Sequence, residues 1–459
     1  MYKIDFHHPC HIYFIGIGGI SMSGLAEILL EEGFQVSGSD ISPSPLTESL
    51  EKNHAVIFYG QKASNLTKDI DVVVYTSAIH PDNPEYAAMK ELRLPSLTRA
   101  ELLGQMMQNY EMPIAVSGTH GKTTTTSMIS EILLEGNYDP TLSIGGILKA
   151  ISGNIRIGKS KYFVTEACEY TNSFLSFFPK IGIILNIEED HLDFFKDIQD
   201  IRNSFHQFAA LIPEDGTLII SSDIIHYKEI TKGLKCRIIT YGSSPDSDYS
   251  CSGIRYDDLA HPTFLLNRKG GGSQTFSLMV PGEHNVYNAM AAIALADLLN
   301  IDDSIIQKAF SGFSGTDRRY EYKGKINGIS IIDDYAHHPT EITATLKAAA
   351  NYPHKSLWCV FQPHTYTRTK AFLPEFAKAL SLADHVILAD IYAARETDTL
   401  GISSKDLQEE ILRAGGQCIY LPSFEAIEKF VLENCINGDL LITMGAGDVV
   451  KVGEKLLQK

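Results

Sequence analysis

The stretch SGTHGKTTTTS, residues 117–127, lies between a β-rich run, IAVSG (114–118), and a helical pattern from Lys122 to Glu135 that Gly136 stops. A glycine turn feeding a helix N-terminus aims backbone N–H groups at an anion. Lys122 adds a positive charge there, and the Thr123 hydroxyl suits a place on Mg2+. The loop is shorter than the strict Walker pattern. Val116 stands where that pattern has its first glycine, which leaves Gly118-x-x-Gly121-Lys122-Thr123. Strand, turn and helix in this order mark a phosphate-binding unit of an α/β sheet, with Gly118, Thr119, His120, Gly121, Lys122, Thr123 and Thr124 as its cradle.

The same rhythm extends both ways from this loop. Upstream, HIYFIGIG (11–18), QVSGSD (35–40) and DVVVYTSAI (71–79) read as strands, with a helix over 21–32 closed by Gly33. A Met-rich helical stretch (100–110) leads into the next strand, and a domain break is set near Gln105. Downstream, YFVTEA (162–167), IGIILNI (181–187) and TLIISS (217–222) are strands. FLLNRKGGGSQTFSLMV (264–280) reads as an antiparallel hairpin around Gly270 to Gly272. An alanine-rich helix over 285–299 follows, and a second break falls near Gly315-Thr316. SIIDDY, LWCVFQ, HVILAD and LLITMG then alternate with helices. The expected fold is α/β with three domains, 1–104, 105–315 and 316–459, each on a mainly parallel sheet with flanking helices. A length of 459 residues agrees, at roughly 150 residues per domain.

Composition narrows the class without naming the chemistry. A hydrophobic fraction of 44% with 21% charged residues argues against disorder. A formal charge of −17 argues against non-specific binding to nucleic acid or anionic membranes, but a local phosphate site remains compatible with it. Apolar runs such as 181–185 are far too short to span a bilayer, and MYKIDFHHPC (1–10) lacks a basic-then-apolar leader, so no export is expected. Seven scattered cysteines with no C-x-x-C pair suit a reducing cytoplasm and exclude a Cys-based zinc site.

Further candidates sit at strand ends, where open α/β sheets bind ligands. Glu166 ends YFVTE and is the carboxylate best placed to hold a P-loop metal. NIEEDHLD follows the next strand, and its His191 reads either as a metal ligand or as a helix cap. GIGGISMSG (16–24) is close to a dinucleotide fingerprint but has Ser21 in the third glycine's place. It suits a nucleotide or diphosphate better than NAD, with Asp40 as an acceptor for a ribose or base, and a purely structural turn remains open. DDYAHHPTE (333–341) and FQPHTYTRTK (361–370) crowd titratable groups that a core would not tolerate. Arg318-Arg319 lies at the second break, within reach of a phosphate across a cleft.

In chain order, GIGGISMSG, SGTHGKTTT, NIEEDHLD, GEHNVYNAMAA, DRRYEY, DDYAHHPTE, FQPHTYTRT and MGAGD make the sequence resemble the Mur ligase family over essentially its whole length. The resemblance implies a Rossmann-like first domain for a UDP-sugar, a central P-loop domain for ATP, and a Rossmann-like last domain that closes over an amino acid. It implies an ATP-dependent carbon–nitrogen ligase of peptidoglycan precursor synthesis in the cytoplasm. That enzyme adds L-alanine to the lactyl carboxylate of UDP-N-acetylmuramate through an acyl phosphate. By motif, Gly16, Gly18, Gly19 and Asp40 hold the UDP moiety. Thr123 and Glu166 take one Mg2+ and His191 a second. Asn285 and Asn288 bracket the adenine, Arg319 meets the phosphates and Asp333 the ribose. His338, His364 and Arg368 receive the amino acid, and Lys122, His338 and Arg368 are the catalytic set, with His338 as the base for the amine. Neither nucleic acid nor membrane is an expected partner, and the expected state is a monomer or homodimer.

Two departures from the family pattern stand out. Thr365 occupies a place where many members have arginine, and residues 201–208 offer no lysine for a carbamylated metal ligand. Three alternatives stay open at this point: a recycling ligase that joins an intact tripeptide to the same sugar, an NAD-dependent dehydrogenase, and a non-catalytic nucleotide-binding scaffold.

Overall fold

Continuous apolar strands are stable where helices cover both faces of a parallel sheet. HIYFI is such a strand: Ile12, Tyr13, Phe14 and Ile15 are fully buried. In the computed structural model, which describes residues 2–76, 79–394 and 396–458, it forms the strand His11–Ile15 and pairs in parallel with Gln35–Asp40 and Val72–Tyr75. Ser77 and Ala78, within the expected strand 71–79, lie outside the described residues. Counting strands along the chain, the first sheet runs 3-2-1-4-5, all parallel. The order reverses beside strand 1, and the Gly16–Gly19 turn leaves that strand at the resulting crevice.

The central sheet runs, edge to edge, Ser273–Ser277, Pro262–Arg268, Tyr249–Tyr256, Arg237–Gly242, Thr217–Ser221, Ile181–Ile184, Met112–Ser117, Tyr162–Ala167, Thr141–Leu148 and Gly153–Arg156. Its middle is parallel, with Met112–Ser117 held between Tyr162–Ala167 and Ile181–Ile184. Its edges are antiparallel. One carries Thr141–Leu148 with Gly153–Arg156, which the hydrophobic pattern did not reveal. The other ends in the expected hairpin, Pro262–Arg268 with Ser273–Ser277. Helices Lys122–Glu135 and Glu283–Leu298 share one core with the sheet through Ile129, Ile293, Val116 and Ile183. Ala289, Ala291, Ala292, Ala294 and Ala296 are all buried, and their small side chains let the second helix lie close to its neighbours.

The third sheet runs Glu321–Ile326, Ile329–Asp334, Leu440–Met444, Leu357–Phe361, His385–Leu388 and Cys418–Tyr420, and among the described residues only Glu321–Ile326 runs antiparallel to its neighbour. The first sheet's last strand, Ser96–Thr98, leads directly into helix Arg99–Met107, which contains Gln105, and the central sheet begins at Met112. Thr98 caps that helix reciprocally with Glu101. No helix among the described residues is long and apolar enough to cross a membrane.

Candidate functional site

Strand Met112–Ser117 reaches helix Lys122–Glu135 through a turn in which Gly118 (φ 143°) and Gly121 (φ 82°) adopt left-handed backbone angles that favour glycine. A Cβ on Gly121 would stand 2.5 Å from Oδ1 of Asn288, so glycine also lets helix Glu283–Leu298 close on the loop. The Lys122 ammonium donates to Oε2 of Glu169 at 3.0 Å, to the Thr119 carbonyl at 3.0 Å and to the Gly118 carbonyl. Burial pulls the lysine pKa down, but Glu169 and the neighbouring acidic groups outweigh it and hold the ammonium above its ordinary value. Thr119 accepts the Glu188 amide at 2.9 Å, and the His120 amide donates to Asn186 at 2.7 Å. These bonds tie the loop to the segment after strand Ile181–Ile184.

Thr123 and Glu166 come together as expected, with Oγ1 donating to Oε2 at 3.1 Å. The other Glu166 oxygen accepts the Gly145 amide at 2.6 Å, from the edge strand that sequence reading missed. His191 sits in a left-handed conformation (φ 53°) and stacks on Tyr170, with ring centroids 4.4 Å apart. Such strain in a residue other than glycine costs about 1–3 kcal/mol and concentrates at functional sites. Its Nε2 lies 3.9 Å from Oε1 of Glu169, a buried oxygen without a hydrogen-bond partner. Burial holds the His191 ring below its ordinary pKa, which favours the neutral form that a metal ligand takes. Glu169 escaped sequence reading because C-E-Y matches no metal or P-loop pattern; its only signal is a second acid three residues beyond Glu166.

A cavity of about 430 Å³ opens between the loop and the third sheet, within the size range of small-molecule sites. His120, Gly121, Thr124, Asn285, Asn288 and Arg319 line it. Asn288 donates to Asn285 at 3.0 Å, and Asn285 donates to the Pro281 carbonyl at 2.7 Å, which fixes both amides. The Arg319 guanidinium lies 5.1 Å from the Tyr335 ring centroid. Asp333 does not line the cavity, contrary to expectation. Adjacent strand residues point to opposite faces, and Asp333 is fully buried against Arg318 (3.2 Å) and Thr443 (2.6 Å). Asp334 takes the cavity side, accepting the Tyr320 and Ala336 amides, and burial pushes its carboxyl up to about 6. Arg318, not Arg319, grips the MGAGD turn through the Gly445 and Gly447 carbonyls.

A second cavity, of about 450 Å³, is lined by Asp190, His191, His364, Arg368, Phe372 and Glu396 among others. Arg368 is paired with Asp190 and lies 3.2 Å from Nδ1 of His364. Burial first, then His337 and Arg368, push the His364 ring down to about 4, so it is neutral and accepts from the arginine. Thr365 caps the short helix Tyr366–Ala371, accepting the Arg368 amide at 3.4 Å. His338 lies outside this cavity. It caps helix Pro339–Ala349 by accepting the Thr340 amide at 3.3 Å, its Nε2 meets the Glu189 carbonyl at 3.1 Å, and its ring rests 5.0 Å from that of Phe372. Nε2 faces a carbonyl and so carries the proton, and the Nδ1 lone pair is turned to the Thr340 amide and not into the second cavity, so the ring is not aimed at an amine held there.

In the first domain, the Gly18 amide donates to Asp40 at 2.7 Å, and a Cβ there would stand 2.7 Å from the same oxygen. Gly16 turns the chain (φ 81°) and Gly19 precedes helix Ile20–Glu31. Asp40 thus holds its own loop, at the N-terminal end of a helix where anions are favoured.

Three family models match in series: Mur ligase family, catalytic domain, over residues 11–111; Mur ligase middle domain over 116–296; and Mur ligase, glutamate ligase domain over 318–447. The UDP-N-acetylmuramate–L-alanine ligases of Lachnospira eligens and Agathobacter rectalis are each 61% identical over 459 residues, covering all of both chains. Among solved structures, a UDP-N-acetylmuramate-alanine ligase from Thermotoga maritima matches with a TM-score of 0.81 at 28% identity over 98% of each chain. A murein peptide ligase from Psychrobacter arcticus matches with a TM-score of 0.69 at 28% identity, also over 98% of each.

Proposed function

The chain belongs to the Mur ligase family, and from that premise we propose that it joins the amine of L-alanine to the lactyl carboxylate of UDP-N-acetylmuramate while converting ATP to ADP and phosphate. One observation carries the reading: the loop after strand Ile181–Ile184 lines both cavities, with Glu188 in the first and Asp190 and His191 in the second. A nucleotide in one and a carboxylate with its amine partner in the other would meet across a single wall.

In the first step a lactyl carboxylate oxygen attacks the γ-phosphorus, forming an acyl phosphate as the bond to ADP breaks. Both partners are anionic, so Lys122 and Arg319 act by neutralising charge and fixing position. Thr123 and Glu166, whose oxygens already converge, and His191 beside the unpartnered Glu169 oxygen suit Mg2+, which supplies charge neutralisation along the phosphates. In the second step the alanine amine, freed of its ammonium proton to solvent, attacks the acyl carbon; the tetrahedral intermediate gives a second N–H proton to solvent, and phosphate leaves as its bond to the carbon breaks. Arg368 is suited to the substrate carboxylate in the second cavity, beside His364. His338 serves here as a positioning residue that shapes the wall, not as the base.

Asn285 and Asn288 would bracket the base, and Asp334, in place of Asp333, the ribose. Gly16, Gly18, Gly19 and the helix behind them would take the UDP diphosphate, with Asp40 toward the nucleoside. The domains then divide as 1–104 for the UDP-sugar, 105–315 for ATP and 316–459 for the amino acid. We place the reaction in the cytoplasm, where ATP is at hand and seven free cysteines stay reduced.

The test is ADP release with UDP-N-acetylmuramate and alanine each present or omitted, followed by glycine, serine and tripeptide as acceptors. Release that needs both substrates and favours alanine is expected. Preference for the tripeptide would make the protein a recycling ligase, and release independent of any acceptor would overturn the ligase reading.

A further inference from the structure

Four charged or coordinating side chains meet where the phosphate loop touches the third sheet, and the proposed reaction leaves their arrangement unexplained. His120, on the loop, turns Nδ1 to Oε1 of Glu341 at 3.0 Å and Nε2 toward Oε2 of Glu188 at 3.4 Å. That Nε2 is buried and has no hydrogen-bond partner. The His338 ring stands beside it, with centroids 4.7 Å apart. One ligand atom from each of His120, Glu188 and His338 falls within 4.8 Å of the other two.

We propose that His120, Glu188 and His338 form a binding site for a divalent transition-metal cation of the zinc class, bridging the central and third domains. Two imidazoles and a carboxylate make a common tetrahedral zinc set, and the fourth position stays open to the adjoining 430 Å³ cavity. A tetrahedron with ligands about 2.0–2.1 Å from the metal has edges near 3.4 Å. The His120–Glu188 pair already has that spacing, and the third ligand needs only a small inward shift.

The surroundings are also those of a metal site. A ligating histidine characteristically gives its other N–H to a carboxylate or a backbone carbonyl. Glu341 does this for His120, and the Glu189 carbonyl does it for Nε2 of His338. Nδ1 of His338 then keeps the lone pair, and holds only the long 3.3 Å bond to the Thr340 amide. Glu188 is steadied in turn by the Thr340 hydroxyl at 2.6 Å. Two ligands belong to the central domain and one to the third, so the cation ties the two domains together at this point. Imidazole nitrogen donors set this site apart from the oxygen-only Thr123–Glu166 pair suited to magnesium.

The experiment uses the full chain, reduced and freed of metal by a chelator, titrated with Zn2+ alone against a chromophoric competitor. The wild type should take up one equivalent, and Glu188→Gln should weaken that uptake at least about tenfold. Glu341→Gln, which removes the negative charge shared by His120 and His337 but leaves all three ligands, should weaken it less. It also serves as the second variant if Glu188→Gln fails to melt cooperatively. Co2+ in the same position should give the visible bands of a tetrahedral nitrogen–oxygen site, lost in Glu188→Gln. No tight equivalent in the wild type, unchanged affinity in both variants, or a thiolate charge-transfer band would each overturn the site. None of these readouts depends on ligase activity, so failure here leaves the proposed reaction standing.

Discussion

Arg368 and Asp190 lie 178 residues apart in the chain and share one buried forked contact, with Nε and Nη2 3.1 and 2.9 Å from the same carboxylate oxygen. Burial alone would raise the Asp190 pKa; Arg368 beside it holds the carboxyl well below the usual range. The pair joins the central and third sheets and leaves part of the guanidinium facing the second cavity. A hydrogen bond to a charged group is worth about 1.5–3 kcal/mol, or roughly tenfold to a hundredfold in affinity. Arg368→Ala should therefore raise the apparent KM for alanine by that factor and the KM for ATP much less. Initial-rate kinetics in each substrate check this, and equal rises would remove the arginine from the carboxylate site.

Lys122 and Glu169 make a second buried pair, and its two roles separate by mutation. Losing the cation that faces developing phosphate charge should lower turnover by roughly a thousandfold or more in Lys122→Ala. The same change strands Glu169 and should cost about 3–5 kcal/mol of stability. Lys122→Ala/Glu169→Ala should then recover most of the stability and none of the turnover. Calorimetry beside an ADP-release assay tests this, and recovered turnover in the double variant would end the phosphate role of Lys122.

What could be read from the chain and what could not follow from the range of the interactions. The loop at 117–127, the strands around it and the three-sheet layout rest on local pattern: apolar runs, a glycine turn and a helix start. Thr123 lies beside Glu166, and Asn285 and Asn288 line the first cavity, because their strands and helices abut the loop. The Thr141–Leu148 edge strand stayed hidden because TLSIGGIL neither alternates nor forms a clean apolar run, yet it supplies the amide that orients Glu166. Asp333 and Asp334 are adjacent acids whose facing depends on strand register, which sequence alone does not set. The pairing of Arg368 with Asp190, and of His120 with Glu341, depends on how two domains dock and leaves no mark in either segment.

Asp333 and Asp334 give the clearest test of that register. Asp334→Asn should raise the KM for ATP, because Asp334 is the acid that lines the first cavity. Asp333→Asn should act on stability instead. It weakens the partner of Arg318, lowers the melting temperature, and leaves the KM for ATP close to that of the parent. Thermal melts and ATP titrations of both variants are sufficient, and a KM effect confined to Asp333→Asn would reverse the assignment.

The His337 and His364 rings, with centroids 5.7 Å apart, should make the fold acid-sensitive well above the carboxylate range. Burial is the largest cause that pushes each down to about 4. An unfolded imidazole titrates near 6.5, so between about pH 6.5 and 4 the unfolded chain binds the extra protons and stability rises with pH. The contribution is complete above the unfolded value and disappears as pH falls through the folded one. Asp334 acts in the opposite sense over part of the same window, since its raised carboxyl favours the fold at low pH and loses that as pH rises through about 6. Burial holds the His284 ring down to about 4 as well, which adds to the loss of stability on acidification. His364→Gln removes one ring, worth at most about 3 kcal/mol across the window, and should flatten the fall in melting temperature between pH 6.5 and 4. Melting curves of parent and variant at both ends of that window decide it: a constant gap between them would show that His364 does not titrate with folding.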